Sequence, residues 1–271
     1  MECFFNKSFS SSVNKLEIEM LDSAYVHGDR EWNMSGICSP YSRMYFIESG
    51  GATITAGNKQ INMEPGYVYI IPTGLAFSGI CLDNYTKVYF HFCINRPDGY
   101  DLFSGCNSVF SKYLGSGKIA EVKRMFFSEN LVDTLKLKSI ILDTALSLFP
   151  EENSKELLSV IYSPQVQRAI DYIKSNLSIQ LSVKTLSENL FVAQTTLSKH
   201  FHDEVGVNIG RYIDDIVFES AKKMLIKTDI PIQTISEKFG FCDRFYFSRR
   251  FKEKFGFTPY RYRKMNTTTF S

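Results

Sequence analysis

The sequence predicts an α+β chain. An N-terminal β-domain with a helical hairpin is followed by an all-α C-terminal domain, in which a long helix joins two helix-turn-helix motifs. Three observations carry this. Short β-type runs between Arg43 and Ile94 are punctuated by Gly and Pro; from Ile119 the apolar period lengthens to that of a helix; and the C-terminal third repeats itself at an offset of 50 residues. The 271 residues suffice for one large or two ordinary domains, and 44% hydrophobic with 22% charged residues is globular composition. That balance excludes disordered and collagen-like chains. No apolar run reaches the ~18 residues of a spanning helix. Met1 to Asn14 lack the apolar core of a secretory signal, and the six cysteines form no CxxC pair. A reduced, cytoplasmic chain without a membrane partner is therefore expected.

The elements follow in order. Arg43–Ile47 and Ala52–Ala56 read as two strands separated by Gly50-Gly51. Gly57-Asn58 turns the chain into Lys59–Met63. Pro65-Gly66 precedes Tyr67–Ile71, and Pro72-Thr73-Gly74 is the next turn before a long aromatic strand, Tyr85–Ile94. Strands so closely spaced predict a sandwich or small barrel. Ile119, Val122, Met125 and Phe126, then Leu131, Leu135, Ile141, Ala145 and Leu148, fall at helical spacing, placing two helices between Lys118 and Phe149. Pro150 ends them. The expected division is a β-domain over residues 1–115, a helical segment over 116–150, a polar linker over 151–163 and a helical domain over 164–271.

Ser163 and Pro164 supply a cap and a first-turn proline for the next helix, whose apolar face is Val166, Ala169, Ile170, Ile173 and Leu177. Ser182 caps a short helix with Leu186 and Leu190 inward. A helix over about Ala193 to Glu204 buries Leu197 and Phe201, and Gly206 stops it. A long helix, about Ile209 to Lys227, is expected to bury Ile213, Ile216, Val217, Ser220, Ala221 and Met224. Ile232, Ile235 and Phe239 line another short helix, with Gly240 as the tight-turn residue. Asp243 caps the last, with Phe247, Phe251 and Phe255 inward and Gly256 closing it.

Leu197, Ser198, Lys199, Phe201 and Gly206 recur as Phe247, Ser248, Arg249, Phe251 and Gly256; upstream, Leu186 matches Ile235 at offset 49. Each unit is a short helix, a tight turn and a longer helix, the layout whose second helix enters the major groove. A joining helix of about 19 residues spans roughly 28 Å, close to the ~34 Å between successive major-groove faces. Charge agrees. Residues 1–163 hold 14 basic and 18 acidic side chains, a balance of −4, whereas residues 164–271 hold 17 and 11, a balance of +6. A basic end on an acidic body presents one part to phosphate.

The run Ile232-Gln233-Thr234-Ile235-Ser236-Glu237-Lys238-Phe239-Gly240-Phe241, with Asp243, then Tyr246-Phe247-Ser248-Arg249-Arg250-Phe251-Lys252, then Gly256-Phe257-Thr258-Pro259-Tyr260-Arg261-Tyr262-Arg263, closely resembles the signature of AraC-type bacterial transcription regulators, the AraC/XylS family. The likeness covers about the last 100 residues. It departs at Ser236, where the family usually has alanine, and at Phe245, where serine is usual. Met63 to Pro72 looks like the cupin-type strand pair of the family's effector domain. The resemblance thus implies a cupin-like N-terminal barrel that binds a small molecule, and helices after it that pair in a homodimer. RNA polymerase is a further partner it allows.

The DNA face comprises the outward residues of the two second helices. These are Gln194, Thr195, Ser198, Lys199 and His202 in the first, and Arg244, Phe245, Ser248, Arg249 and Lys252 in the second. Arg and Lys can chelate guanine, Gln can pair with adenine, and Thr or Phe can meet the thymine methyl of double-stranded DNA. His202 and Lys252 suit a phosphate as well as a base. Arg261 and Arg263 either approach the DNA backbone or brace the fold. In the N-terminal half, Lys87, Tyr89 and His91 share one strand face, and Arg43 and Tyr45 alternate similarly. These five are the expected effector residues if that face turns inward, and solvent-facing residues if it does not. Polar-aromatic faces suit a sugar. His27 and His91 are too few and too far apart for a metal-dependent cupin site, so no metal, cofactor or catalytic residue is expected. The alternatives are a cupin-type enzyme fused to a helical domain, and a DNA-repair methyl acceptor, whose chemistry needs a cysteine cluster this chain lacks.

Overall fold

A computed structural model describes residues 16–29, 32–150 and 162–267. The chain divides into two compact units, Met1–Leu158 and Ser159–Ser271. Residues 151–161, most of the expected linker, and the N-terminal stretch expected to lack a signal lie outside the described residues.

The first unit is one antiparallel sheet of seven strands: β1 (Glu17–Gly28), β2 (Asn33–Ile37), β3 (Ser42–Ala56), β4 (Lys59–Met63), β5 (Tyr67–Ile71), β6 (Phe77–Asn95) and β7 (Phe110–Tyr113). Their order is β1-β6-β3-β5-β7, with β2 also on β6 and β4 also on β3. The two long strands organise it. β3 and β6 pair along nearly their whole length, from Ser42 opposite Phe92 to Ala56 opposite Phe77. Each is long enough to hold two partners in succession on its other edge.

This corrects the expected strands in three ways. Gly50-Gly51 does not end a strand: β3 runs through it, because β6 pairs with both halves. Gly50 has φ of 71°, and a Cβ there would sit 1.8 Å from the Asn84 carbonyl oxygen, so only glycine lets the strand bend here. The long aromatic strand begins at Phe77 rather than Tyr85. Finally, β1, β2 and β7 lie where no strand was expected; most of their residues are exposed or only half-buried, which blunts the alternation that marks a strand.

Helices α1 (Ser116–Phe126) and α2 (Leu131–Leu148) close one face of the sheet. Met44, Phe46, Val68, Ile70, Val88, Phe90 and Phe92 meet Ile119, Val122 and Met125 of α1 and Leu137, Ile141 and Ala145 of α2. Each large side chain so buried stabilises the unit by roughly 1.5–3 kcal/mol. Lys123 of α1 ties the layers together through Glu48, 2.7 Å away, and the Tyr25 hydroxyl at 2.8 Å. The buried stripe of α2 is the expected one only in its second half, where Ile141 and Ala145 are buried. Leu131 and Leu135 are 70% and 55% exposed, because in the first half the stripe that meets the sheet passes through Leu137.

The second unit is helical: α3 (Pro164–Ser175), α4 (Val183–Leu190), α5 (Gln194–Val205), α6 (Ile209–Lys227), α7 (Ile232–Lys238), α8 (Arg244–Phe255) and α9 (Pro259–Thr267). Side chains of Ser163, Ser182, Asn208 and Asp243 cap α3, α4, α6 and α8 by accepting backbone N–H groups. In α6 the buried stripe includes Tyr212, Phe218 and Leu225, whereas Ser220 and Met224 are only half-buried. Phe218 lies against Phe241, Phe247, Phe251 and Phe255.

Candidate functional site

The repeat is built twice, bond for bond. Between α4 and α5, Val192 N donates to Ser187 O at 3.0 Å; between α7 and α8, Phe241 N donates to Ser236 O at 3.0 Å. Phe191 N reaches Glu188 O as Gly240 N reaches Glu237 O. After the longer helices, Gly206 and Gly256 take φ of 80° and 79° and bond back to His202 and Lys252. One position breaks the symmetry. Gly240 has φ of 75°, with Ser178 Oγ 2.3 Å from where a Cβ would stand, whereas its counterpart Phe191 holds φ of 55° and is 95% exposed. The loop after α3 closes on the second turn, with Ile179 N donating to Phe239 O and Gln180 Nε2 to Gly240 O. That contact explains why the second turn needs glycine and the first does not.

Burying Leu197 and Phe201 on α5, and Phe247 and Phe251 on α8, turns the opposite sides outward. Gln194, Thr195, Lys199 and His202 are exposed and Ser198 is half-buried on α5. Arg244, Phe245, Arg249 and Lys252 are exposed and Ser248 is half-buried on α8. The Arg244 guanidinium lies 4.8 Å from the centre of the Phe245 ring. Arg250 and Lys254 point the other way, binding Asp214 of α6, with Lys254 also on Asp215 at 2.6 Å. They fix the angle of α8 on α6. Arg263 braces the fold, donating to the Leu225 and Ile230 carbonyls at 2.9 and 2.8 Å.

In the first unit the five expected effector residues come together inside. Arg43, Tyr45, Lys87, Tyr89 and His91 are all buried on the sheet face opposite α1 and α2, where Arg43 faces His91 and Tyr45 faces Tyr89 across the strands. Arg43 Nη1 bonds His91 Nε2 at 2.9 Å, and its other nitrogens donate to Ser39 Oγ and Tyr41 Oη. Arginine only donates, so His91 Nε2 accepts and Nδ1 carries the proton, facing Asp22 3.4 Å away. Burial and the neighbouring Arg43 charge push the His91 pKa down to about 3, so the ring is neutral. Tyr89 Oη donates to Asp22 at 2.8 Å.

Trp32, Tyr41, Tyr85 and Asp22 belong to the same cluster and were not expected there. Tyr85 was legible, since it continues the odd-numbered face of Lys87, Tyr89 and His91. Trp32 and Asp22 arrive from β2's approach and from β1, and no pattern local to their sequence announces that. Among the described residues, no group of three or more His, Cys, Asp or Glu side chains could hold a metal ion.

Residues 186–265 match the family of the helix-turn-helix domain. The arabinose operon regulatory protein of Escherichia coli is 25% identical over 170 residues; the match spans 62% of this chain and 52% of that protein, about half its length. The lactose operon transcription activator of Staphylococcus xylosus is 20% identical over 232 residues, 82% of this chain and 83% of that one. Over residues 186–265 the chain belongs to that helix-turn-helix family, and along its length it is similar to AraC-type bacterial transcription regulators. Its relatives are regulators, not enzymes. ToxT from Vibrio cholerae, 17% identical, superposes with a TM-score of 0.51 over 92% of this chain and 100% of its own, and so shares the α+β fold. Of the two departures from the family signature, Ser236 is fully buried with its hydroxyl unpartnered, and Phe245 stands 71% exposed at the start of α8.

Proposed function

We propose that this AraC-type chain is a sequence-specific DNA-binding transcription regulator controlled by a small-molecule effector. The observation that carries the reading is the twice-built turn, which aims two polar helix faces outward from one rigid helical unit. In this reading α4–α5 and α7–α8 are two helix-turn-helix motifs, and Gln194, Thr195, Ser198, Lys199, His202, Arg244, Phe245, Ser248, Arg249 and Lys252 meet the major groove. Residues 1–115 are the cupin-like effector domain, with Arg43, Tyr45, Lys87, Tyr89 and His91 around a sugar-like ligand. Residues 116–150 pair two copies as a homodimer, residues 151–163 link, and residues 164–271 bind DNA. Six cysteines with no CxxC pair suit a cytoplasmic site of action, where RNA polymerase is the further partner. No helix among the described residues is long and apolar enough to cross a membrane.

The test is sequencing of genomic fragments retained by the protein, then gel-shift titration on the enriched site. Arg249→Ala is expected to cost about 1–3 kcal/mol on that site and much less on random duplex, as a lost base contact does. Equal losses on both would reassign Arg249 to phosphate. Absence of any enriched fragment would remove the regulator reading.

A further inference from the structure

The interior cluster of the sheet unit has an imbalance of charge. Arg43 and Lys87 are buried at 1% and 3% exposure, and neither makes an ion pair with a carboxylate among the described residues. Arg43 is satisfied by the Ser39 and Tyr41 hydroxyls and by His91. Lys87 Nζ instead faces rings: Tyr45 at 3.6 Å, Trp32 at 4.7 Å, Tyr85 at 5.1 Å and Tyr89 at 5.9 Å. Among the described residues it has no hydrogen-bond acceptor. The buried Tyr85 hydroxyl beside it also lacks any partner. Among the described residues the carboxylate of the cluster is Asp22, which is engaged by Tyr89 and by the His91 ring.

A buried guanidinium, a buried amine and an unpartnered buried hydroxyl in one place are expensive unless something negative joins them. A neutral ligand would satisfy the hydroxyl but leave the charges unanswered. Building on the effector reading above, we infer that the effector is an anion, whose carboxylate or phosphate group is held by Lys87 and Arg43 while a ring-shaped body stacks on the surrounding aromatic side chains. Aromatic rings surround the Lys87 amine until the anion arrives, at which point Tyr85 can donate to the same group.

Lys87 has a consequence of its own. Burial holds its amine well below the usual lysine range, and the Arg43 charge adds to this. The groups that face it are Arg43 and Tyr45 from β3, Cys81, Tyr85, Tyr89 and His91 from β6, and more distantly Asp22 from β1. None supplies a free negative charge. An arriving anion favours the charged amine, so binding is linked to proton uptake and weakens as pH rises.

The full chain is titrated with pairs of matched probes while its melting temperature is followed: glucuronate or glucose 6-phosphate against glucose, and benzoate against benzyl alcohol. At least one anion is expected to raise the melting temperature saturably at millimolar concentration, with its neutral partner at least tenfold weaker. The two sugar anions distinguish carboxylate from phosphate. Lys87→Met, which removes a buried charge without removing bulk and so still folds, is expected to abolish the shift while retaining a cooperative melt. Lys87→Gln serves as the second variant. Calorimetry of the strongest anion in buffers of different ionisation heat should report net proton uptake in the wild type.

If none of the three anions stabilises the wild type, or the neutral partners bind equally well, or Lys87→Met responds as the wild type does, the inference is wrong. Duplex DNA binding is measured on the same wild-type sample. Its failure removes the regulator reading and leaves the anion result standing, since the probes read the sheet unit.

Discussion

At Ser236 the family signature and the packing disagree. The hydroxyl sits fully buried on α7 with no partner, where the family usually has alanine. A buried unsatisfied hydroxyl costs about 1–3 kcal/mol, and removing it leaves a void of one oxygen atom. Ser236→Ala is therefore expected to stabilise the helical unit by about 1 kcal/mol in urea unfolding followed by its helical signal. A loss of stability would mean that the hydroxyl has a partner in solution. His91 supplies a second test. Its folded pKa of about 3 lies below the unfolded 6.5, so the unfolded chain takes up a proton that the folded chain refuses. Stability is complete above pH 6.5 and falls as the pH drops from there toward 3. Between pH 6.5 and 5, above the range of most carboxylates, the slope approaches about 1 kcal/mol per pH unit. His91→Gln should flatten that slope in urea melts at stepped pH; an unchanged slope would place the sensitivity elsewhere.

At the level of elements, what the sequence revealed depended on how one-sided each element is. The helices of the second unit were legible almost to the residue, because Ser163, Ser182 and Asp243 announce their starts and each has one apolar stripe. The site faces of α5 and α8 followed by subtraction, since whatever is not Leu197, Phe201, Phe247 or Phe251 points outward. β1, β2 and β7 were not legible, because half-exposed strands lose their alternation. Trp32 and Asp22 joined the interior cluster through strand register, which no local pattern encodes. Arg263 shows the same limit: its place near the C-terminus left DNA and bracing equally open, and the fold decides for bracing. Its guanidinium spans the Leu225 carbonyl in the last turn of α6 and the Ile230 carbonyl beyond it, two acceptors the helix cannot satisfy itself. Arg263→Met is expected to destabilise the helical unit by about 2–3 kcal/mol, with Arg263→Lys intermediate because one ammonium cannot span both. Urea midpoints of the two variants check this, and equal midpoints would show that only the charge matters.

For the whole molecule, the outer side of the helical hairpin bears on whether two copies act together. Leu131, Val132, Leu135 and Leu146 are 70%, 54%, 55% and 49% exposed, although all lie on a helix whose other stripe is fully engaged with the sheet. Met125, Val132, Leu135 and Ile140 line a groove of about 420 Å³ flanked by Lys118, Glu121 and Lys136. Apolar side chains between charges of both signs suit a two-fold copy of the same surface, because each lysine can then meet the other copy's glutamate. Pairing there would link two helical units, and a second linked site raises avidity on paired DNA sites by about 10²–10⁴. Leu135→Glu separates this from ordinary surface exposure. The leucine is more than half in water, so glutamate should leave the melting temperature of the single copy nearly unchanged, whereas Leu142→Glu, half-buried against the core, should unfold the unit. The wild type is expected to sediment as a dimer at tens of micromolar and Leu135→Glu as a folded monomer with weaker binding to paired sites. A wild type that stays monomeric at that concentration, or a Leu135→Glu dimer, would mean that this face is not where two copies meet.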